Sequence, residues 1–227
     1  MELLWQGLAK VWADPQVLKI TLFTLRVSGA STMISVLIGV PVGFWLATRF
    51  FPGRNLIVSV VNLGMGLPPV VVGLWVSLLL WRSGPLGLLG LQYTPMAIVI
   101  AQVIISAPIV TGFSIAAVGQ VNPRLQTQIM ALGASRRQLL WLIIREARLG
   151  LLAAVIAGFG SGISEVGAAM MVGGNIAGYT RTITTATVLE VDKGHYDVAI
   201  ALGTILLFLA FIVTAVLTLS QQKGRYT

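Results

Sequence analysis

Residues 126–148 have the sequence QTQIMALGASRRQLLWLIIREAR and separate two apolar runs, 95–118 and 149–172. Apolar residues recur at helical spacing after Gly133 and predict an amphipathic helix at the membrane surface. The connection between the two apolar runs contains five arginines and a single acid, Glu146. The arginines are Arg124, Arg136, Arg137, Arg145 and Arg148. A chain that only anchors itself in a membrane needs no such segment, so we expect a cytoplasmic protein to bind it.

The composition predicts an all-α polytopic membrane protein. Of 227 residues, 56% are hydrophobic and only 10% are charged, whereas soluble domains carry about 25% charged residues. Several apolar runs reach the roughly 20 residues that a membrane-crossing helix needs. We expect five transmembrane helices, near 21–47, 56–80, 95–118, 149–172 and 198–219. A sixth is possible if the amphipathic N-terminal segment inserts.

The predicted organisation is a single membrane domain with little soluble mass. Residues 1–19 form an amphipathic N-terminal segment, 20–219 the transmembrane domain and 220–227 a cytoplasmic tail. Within the domain, 119–148 is the cytoplasmic segment. The pair Pro68 and Pro69 should break or kink the second span, because neither residue can donate a backbone hydrogen bond.

The distribution of Lys and Arg predicts the orientation. Five crossings place the turn at 48–55, the segment 119–148 and the C-terminal tail on one side, with nine cations against six on the other. The nine-cation side is therefore cytoplasmic, and the N-terminus lies outside. This asymmetry accounts for the net charge of +8 without a nucleic-acid partner.

Residue types for covalent chemistry are scarce. The chain has no Cys and a single His, His195, so neither a metal site nor a nucleophile–base pair is predicted. It lacks the glycine-rich phosphate loop of P-loop ATPases. We expect no cofactor, and a transport subunit rather than an enzyme.

Two polar features stand in or beside the fourth predicted span. An ionisable group within a span is a functional hypothesis by default, and Glu165 is assigned to gating or architecture. Residues 173–187 offer neutral donors and one cation, which suit a desolvated oxyanion. These groups are Asn175, Thr180, Arg181, Thr182, Thr184 and Thr185. The alternative is an ordinary outer loop whose short helix is capped by Thr180 or Asn175.

The segment 126–148 resembles the cytoplasmic coupling motif of ABC importer permeases, which is Glu-Ala-Ala, three residues, Gly, nine residues, Ile, one residue, Leu-Pro. Gly133 matches the glycine and Ile143 follows ten residues later. Residues 127–129, Thr-Gln-Ile, replace the Glu-Ala-Ala triplet, and Arg-Glu at 145–146 stands where Leu-Pro would be. The resemblance implies a short helix, beginning near Gly133, that docks in a cleft of an ATPase subunit. The implied contact residues are Leu132, Gly133, Ala134, Ser135 and Arg136.

Three further stretches are similar to oxyanion permeases of the molybdate and tungstate branch, and look closest to the tungstate permeases. They are LPPVVVG at 67–73, SEVGA at 164–168 and GNIAGYTRT at 174–182. The resemblance implies the type I (MetI-like) ABC importer permease fold in a prokaryotic cytoplasmic membrane. It also implies a lipid-embedded homodimer, two ATPase subunits and an extracytoplasmic oxyanion-binding protein. The expected substrate path or gate comprises Pro68, Pro69, Ser164, Glu165, Asn175, Thr180, Arg181, Thr182, Thr184 and Thr185.

Two alternatives remain open from sequence. Within the same class, the chain could be an importer permease for molybdate, sulfate or another solute, since one fold serves many cargoes. From a different class, it could be a self-contained secondary transporter or channel. Such proteins usually show an internal repeat, and we find none.

Overall fold

The computed structural model describes residues 15–223 of the chain. Most of the predicted N-terminal segment 1–19 and the last four residues of the predicted tail lie outside this range. Every regular element in the described part is helical, which confirms the all-α prediction. The helices are α1 Pro15–Thr48, α2 Arg54–Met65, α3 Pro69–Leu80, α4 Pro95–Gly119, α5 Pro123–Ala131, α6 Arg136–Ile163, α7 Gly167–Gly173, α8 Ile183–Asp192 and α9 Tyr196–Lys223, with a 3₁₀ turn at Gly87–Leu89.

Three helices in the described range are long and apolar enough to cross a bilayer without a break. These are α1, α4 and the part of α9 up to Leu219. Helices α2 and α3 make a fourth if they count as one span, and they meet at a bend of 101°. Pro68 precedes α3 and Pro69 occupies its first turn, so the predicted break of the second span is confirmed.

The predicted fourth span, 149–172, is wrong as a continuous helix. Helix α6 ends at Ile163, and a short α7 begins at Gly167 after a break of three residues. The Glu165 side chain accepts a hydrogen bond from the Ala168 N–H and so satisfies a donor in the first turn of α7. A hydropathy profile does not show such a break, because the residues on both sides of it are apolar and the window average stays high.

The basic segment and the apolar run that follows it lie on one helix. Helix α6 is continuous for 28 residues, from Arg136 through the basic stretch to Ile163. Residues 136–148 are therefore the first turns of the helix that carries the apolar run. No separate surface helix exists over this interval.

Helices α1, α4 and α6 pack together at the centre of the structure. Small residues permit this approach, since a Cβ added at Gly43 of α1 would lie 2.6 Å from the Ser114 Cβ of α4. At Gly158 of α6, an added Cβ would lie 2.6 Å from Val110 of α4. Close contact through small residues is typical of helix pairs in membranes.

Helix α3 packs side by side with α7, so the two half-helices that follow the two breaks are neighbours. A Cβ added at Gly73 would come within 2.5 Å of the Ala168 Cα, and one at Gly167 within 2.5 Å of Val70. The contacts follow the same order along both helices, which run parallel. Both half-helices therefore begin at the same level of the structure.

Candidate functional site

The predicted coupling glycine stands in the turn between α5 and α6. Gly133 has a φ of 83°, the left-handed conformation that favours glycine. Its N–H donates to Met130 O at 3.1 Å, and the Ala134 N–H donates to Ile129 O at 3.2 Å. These two bonds form a Schellman motif, which closes the C-terminus of α5.

The next helix starts with a reciprocal cap. Ser135 Oγ accepts from the Gln138 N–H at 3.4 Å, while Gln138 Oε1 accepts from the Ser135 N–H at 2.8 Å. This capping box satisfies donors that a helix start otherwise leaves free. The chain therefore passes from one capped helix to the next through residues 132–135 alone, and the turn is compact and rigid.

The turn is exposed, and its position corrects one expectation. No short helix begins near Gly133: the short α5 ends at Ala131 just before the glycine, and the helix that begins after it at Arg136 is the long α6. Leu132 is 86% exposed, and α5 packs only lightly on α6. Ala134 is half-buried and Ser135 exposed, while α6 begins at Arg136, whose side chain lies outside the described set. An exposed apolar residue on a fixed turn fits a contact with another protein.

The predicted threonines are all buried, and their hydroxyl groups bond within the protein. Thr182 and Thr185 form a capping box at the start of α8, with the Thr182 N–H donating to Thr185 Oγ1 at 3.0 Å. The Thr182 and Thr184 hydroxyls lie 2.8 Å apart. Thr184 also donates to the Glu165 carbonyl at 3.0 Å. The helix cap, expected at Thr180 or Asn175, is therefore Thr182.

The loop before α8 has its own hydrogen-bond network. Thr180 Oγ1 accepts from the Ile176 N–H at 2.9 Å and donates to Gly173 O at 2.5 Å. Asn175, at a φ of 50°, accepts from Arg181 Nε at 3.1 Å through its Oδ1. These side chains fix the shape of the loop, while Asn175 and Arg181 keep part of their surface exposed.

Glu165 joins the threonines to the broken spans. Its side chain is 7% exposed, and Oε1 accepts from the Ala168 N–H at 2.9 Å. Ser164 beside it is exposed and donates to Gly160 O at 2.7 Å. Pro68 and Pro69 lie at the other break, linked through the packing of α3 on α7. The structure thus brings the predicted path residues into one region, and the predicted coupling turn at 132–135 is a second, separate region.

Sequence reasoning missed two polar anchors of this region. Gln102 of α4 is buried; its Oε1 accepts from Ser31 Oγ at 2.8 Å and its Nε2 donates to Gly162 O at 2.9 Å. It holds α6 two residues before the break. Thr24 of α1 accepts the Ile183 N–H at 3.0 Å and ties α8 to α1. A lone amide within the apolar run 95–118 was the available signal for Gln102.

A charged cluster follows α8, outside the apolar helices. Glu190 receives hydrogen bonds from Lys193 Nζ and His195 Nδ1, both at 2.8 Å. Partial burial raises the pKa of Glu190, but these two bonds and the charges of Lys193 and His195 outweigh it and lower the pKa below its ordinary value. The ionised carboxylate therefore stabilises this turn fully when the pH is above the ordinary pKa of a glutamate. This contribution to stability is lost as the pH falls through the lowered pKa.

Thr182→Val is expected to destabilise the protein by about 1 kcal/mol, because it removes the hydroxyl that caps α8. The matched control is Thr187→Val in the same helix, whose hydroxyl only bonds back to Ile183 O. Denaturant unfolding in detergent micelles measures the difference. Equal midpoints for the two variants would contradict a special role for the cap.

Comparison with known proteins identifies the family that shares this architecture. The model of the family "Binding-protein-dependent transport system inner membrane component" matches residues 39–225. A probable anion ABC transporter permease protein of Haloferax volcanii is 41% identical over 88% of both chains. A tungstate uptake system permease protein, TupB, of Peptoclostridium acidaminophilum is 38% identical over 92% of both chains.

Solved structures agree on the fold. The structure superposes with a TM-score of 0.71 on a chain of the methionine ABC transporter MetNI, solved in inward-facing conformations. The match covers 93% of this chain and 95% of that chain at 19% identity, which supports the fold alone. The expected MetI-like type I importer fold is confirmed. By sequence and by fold, the chain belongs to the family of inner-membrane components of binding-protein-dependent transport systems.

Proposed function

We propose that this chain is the permease subunit of an ABC importer that moves tungstate, or a related tetrahedral oxyanion, across the cytoplasmic membrane by alternating access. The observation that carries the proposal is the 38% identity to a tungstate uptake permease over 92% of both chains. The similarity to an anion permease at 41% identity supports the same cargo class. The chain is a transport subunit, and ATP hydrolysis belongs to a separate partner.

The exposed turn at 132–135 is the proposed contact for that ATPase, of which two copies would serve a homodimer. Helix α6 begins directly after the turn and runs for 28 residues to the break at residues 164–166. At 1.5 Å per residue, this is a rod of roughly 40 Å. A movement imposed on the turn is thereby transmitted along one rigid helix to the region of the two breaks.

The breaks and the loop before α8 are the proposed substrate path and gate. Ser164 and Pro68 are exposed, and Asn175 and Arg181 are partly exposed, so these four have surface available to an anion. The buried hydroxyls of Thr180, Thr182, Thr184 and Thr185 act as supports that shape the path. An extracytoplasmic binding protein would deliver the oxyanion to this side, with the N-terminus outside and positively charged loops in the cytoplasm.

Uptake into vesicles tests the proposal. Proteoliposomes containing the permease, its ATPase and its binding protein should accumulate tungstate only when ATP is supplied. Unlabelled molybdate and sulfate, added in turn as competitors, rank the oxyanions and decide between tungstate and the other cargoes of the class. Uptake driven by an ion gradient without ATP would overturn the importer assignment in favour of a secondary transporter.

A further inference from the structure

The connection from α3 to α4, residues 81–94, is a tightly folded hairpin. Its first turn folds back on the end of α3, with the Leu86 N–H donating to Leu79 O at 2.9 Å. Its last residues are tied to neighbouring helices. Gln92 Nε2 donates to Ser77 Oγ at 2.8 Å, and the Tyr93 N–H donates to Val172 O at 2.9 Å. The hairpin therefore has a fixed position at the C-terminal end of α3.

This hairpin and the end of α3 line an open cavity of about 310 Å³. The lining residues are Leu80, Trp81, Arg82, Gly87, Gly90, Gln92 and Tyr93. The rings of Trp81 and Tyr93 meet edge to face, with centroids 6.4 Å apart. This volume lies at the lower end of the range of small-molecule sites, so the cavity fits a headgroup and the start of a chain rather than a whole lipid.

Two polar groups at the cavity lack partners among the described residues. The exposed Arg82 side chain has no hydrogen bond or ion pair to any described residue. The Oε1 atom of Gln92 is buried without a hydrogen-bond partner. A guanidinium binds a phosphate through charge-assisted hydrogen bonds, and an amide oxygen needs a donor such as a hydroxyl or an ammonium group. A phospholipid headgroup carries both a phosphate for the guanidinium and a hydroxyl or ammonium donor for the amide oxygen.

The surroundings of the cavity favour lipid over a soluble partner. Leu88 at the tip is fully exposed, and Leu86 and Leu89 beside it are exposed as well. Trp75 and Leu78 of α3, the helix that leads into the hairpin, are exposed as well, and α3 belongs to a bent pair of helices apolar enough to span a membrane. Residues 81–94 contain no acid, and Trp and Tyr are enriched at membrane interfaces.

We propose that the hairpin 81–94 lies in the headgroup region of the bilayer and binds one phospholipid. Leu88 inserts toward the acyl chains, Arg82 binds the phosphate, and Gln92 accepts a hydrogen bond from the headgroup. The site goes beyond the proposed transport function and does not depend on which anion is carried. Its failure would leave the uptake experiment above unaffected.

Spin labelling tests the depth of the tip. The chain has no cysteine, so Leu88→Cys gives a single labelling site in the full-length permease reconstituted in phosphatidylglycerol-containing vesicles. A nitroxide there should be accessible to oxygen and protected from a water-soluble nickel chelate. The control is Ala177→Cys, which lies on an exposed loop and should be open to nickel. Equal nickel accessibility at both sites, or spin coupling of Leu88→Cys with a second copy, would overturn the proposal.

Lipid binding tests the role of Arg82. Native mass spectrometry of the purified permease, titrated with phosphatidylglycerol, should show about tenfold weaker binding for Arg82→Gln, as expected for losing one hydrogen bond to a charged group. Lys193→Gln, which removes an exposed cation from the charged cluster after α8, is the control and should bind as the wild type does. Inorganic phosphate should not compete with the lipid. Equal affinities for the two variants, or competition by phosphate, would refute a lipid site.

Discussion

Gly133→Val is expected to abolish ATP-driven uptake while leaving the permease folded and inserted. Gly133 has a φ of 83°, and the left-handed conformation costs a residue with a Cβ about 1–2 kcal/mol. A β-branched valine is a poor fit there. An added Cβ at Gly133 would meet nothing within 4 Å, so the effect comes from the backbone and not from a clash inside the subunit. The Schellman motif should open and misplace Leu132 against the ATPase.

Two control variants separate the loss of the left-handed conformation at Gly133 from the general effect of replacing an exposed glycine. Gly133→Asn should keep most of the uptake, because asparagine tolerates the left-handed conformation. Gly178→Val makes the same change at a second exposed glycine, with a φ of 73° and open space around it, and should leave the ATPase bound. The measurements are uptake and the amount of ATPase that co-purifies with the permease. Normal uptake and co-purification with Gly133→Val would refute the coupling assignment.

Local sequence patterns were sufficient to predict the unbroken spans and the first break. Helices α1, α4 and α9 follow from apolar runs that fill a membrane thickness, and the α2–α3 bend follows from Pro68 and Pro69. The second break could not be predicted in this way. Residues 164–166 contain neither Pro nor Gly, and the break is stabilised by the carboxylate of Glu165 on the first turn of α7.

The candidate site likewise combines contacts between residues close in sequence, which a sequence pattern can predict, with contacts between residues far apart in sequence, which it cannot. The turn at Gly133 was predictable because its glycine, serine and glutamine act within a few residues of one another. The threonines stand out by composition, and Thr180, Thr182 and Thr185 bond to partners within seven residues of themselves. The bonds that tie this segment to the rest of the fold come from further along the chain. Thr184 donates to the carbonyl of Glu165, 19 residues away, and Thr24 accepts a hydrogen bond from the Ile183 N–H, 159 residues away. Single-sequence periodicity carries no information on such pairs.

Gly73→Ala is expected to lower the free energy of unfolding by about 1–3 kcal/mol, the usual range for overpacking a close contact. A Cβ at this position would lie 2.5 Å from the Ala168 Cα. That atom belongs to the backbone of α7 and cannot rotate away, so α3 and α7 must move apart. The displacement acts directly on the two breaks, because Gly167 packs against Val70 at the same level. Uptake should therefore fall more than stability alone explains.

The matched control is Gly29→Ala in α1, where an added Cβ meets nothing within 4 Å. In a helix interior, alanine is favoured over glycine by about 1 kcal/mol, so this variant should be neutral or more stable and should transport normally. Titration with dodecyl sulfate in mixed micelles measures stability, and vesicle uptake measures function. If Gly73→Ala matched Gly29→Ala in both assays, α3 and α7 would not be held together by close contact at this point. A Gly73→Ala variant that kept its stability but lost uptake would instead assign the contact to the moving gate, since a small separation of two half-helices changes the path between them before it unfolds the domain.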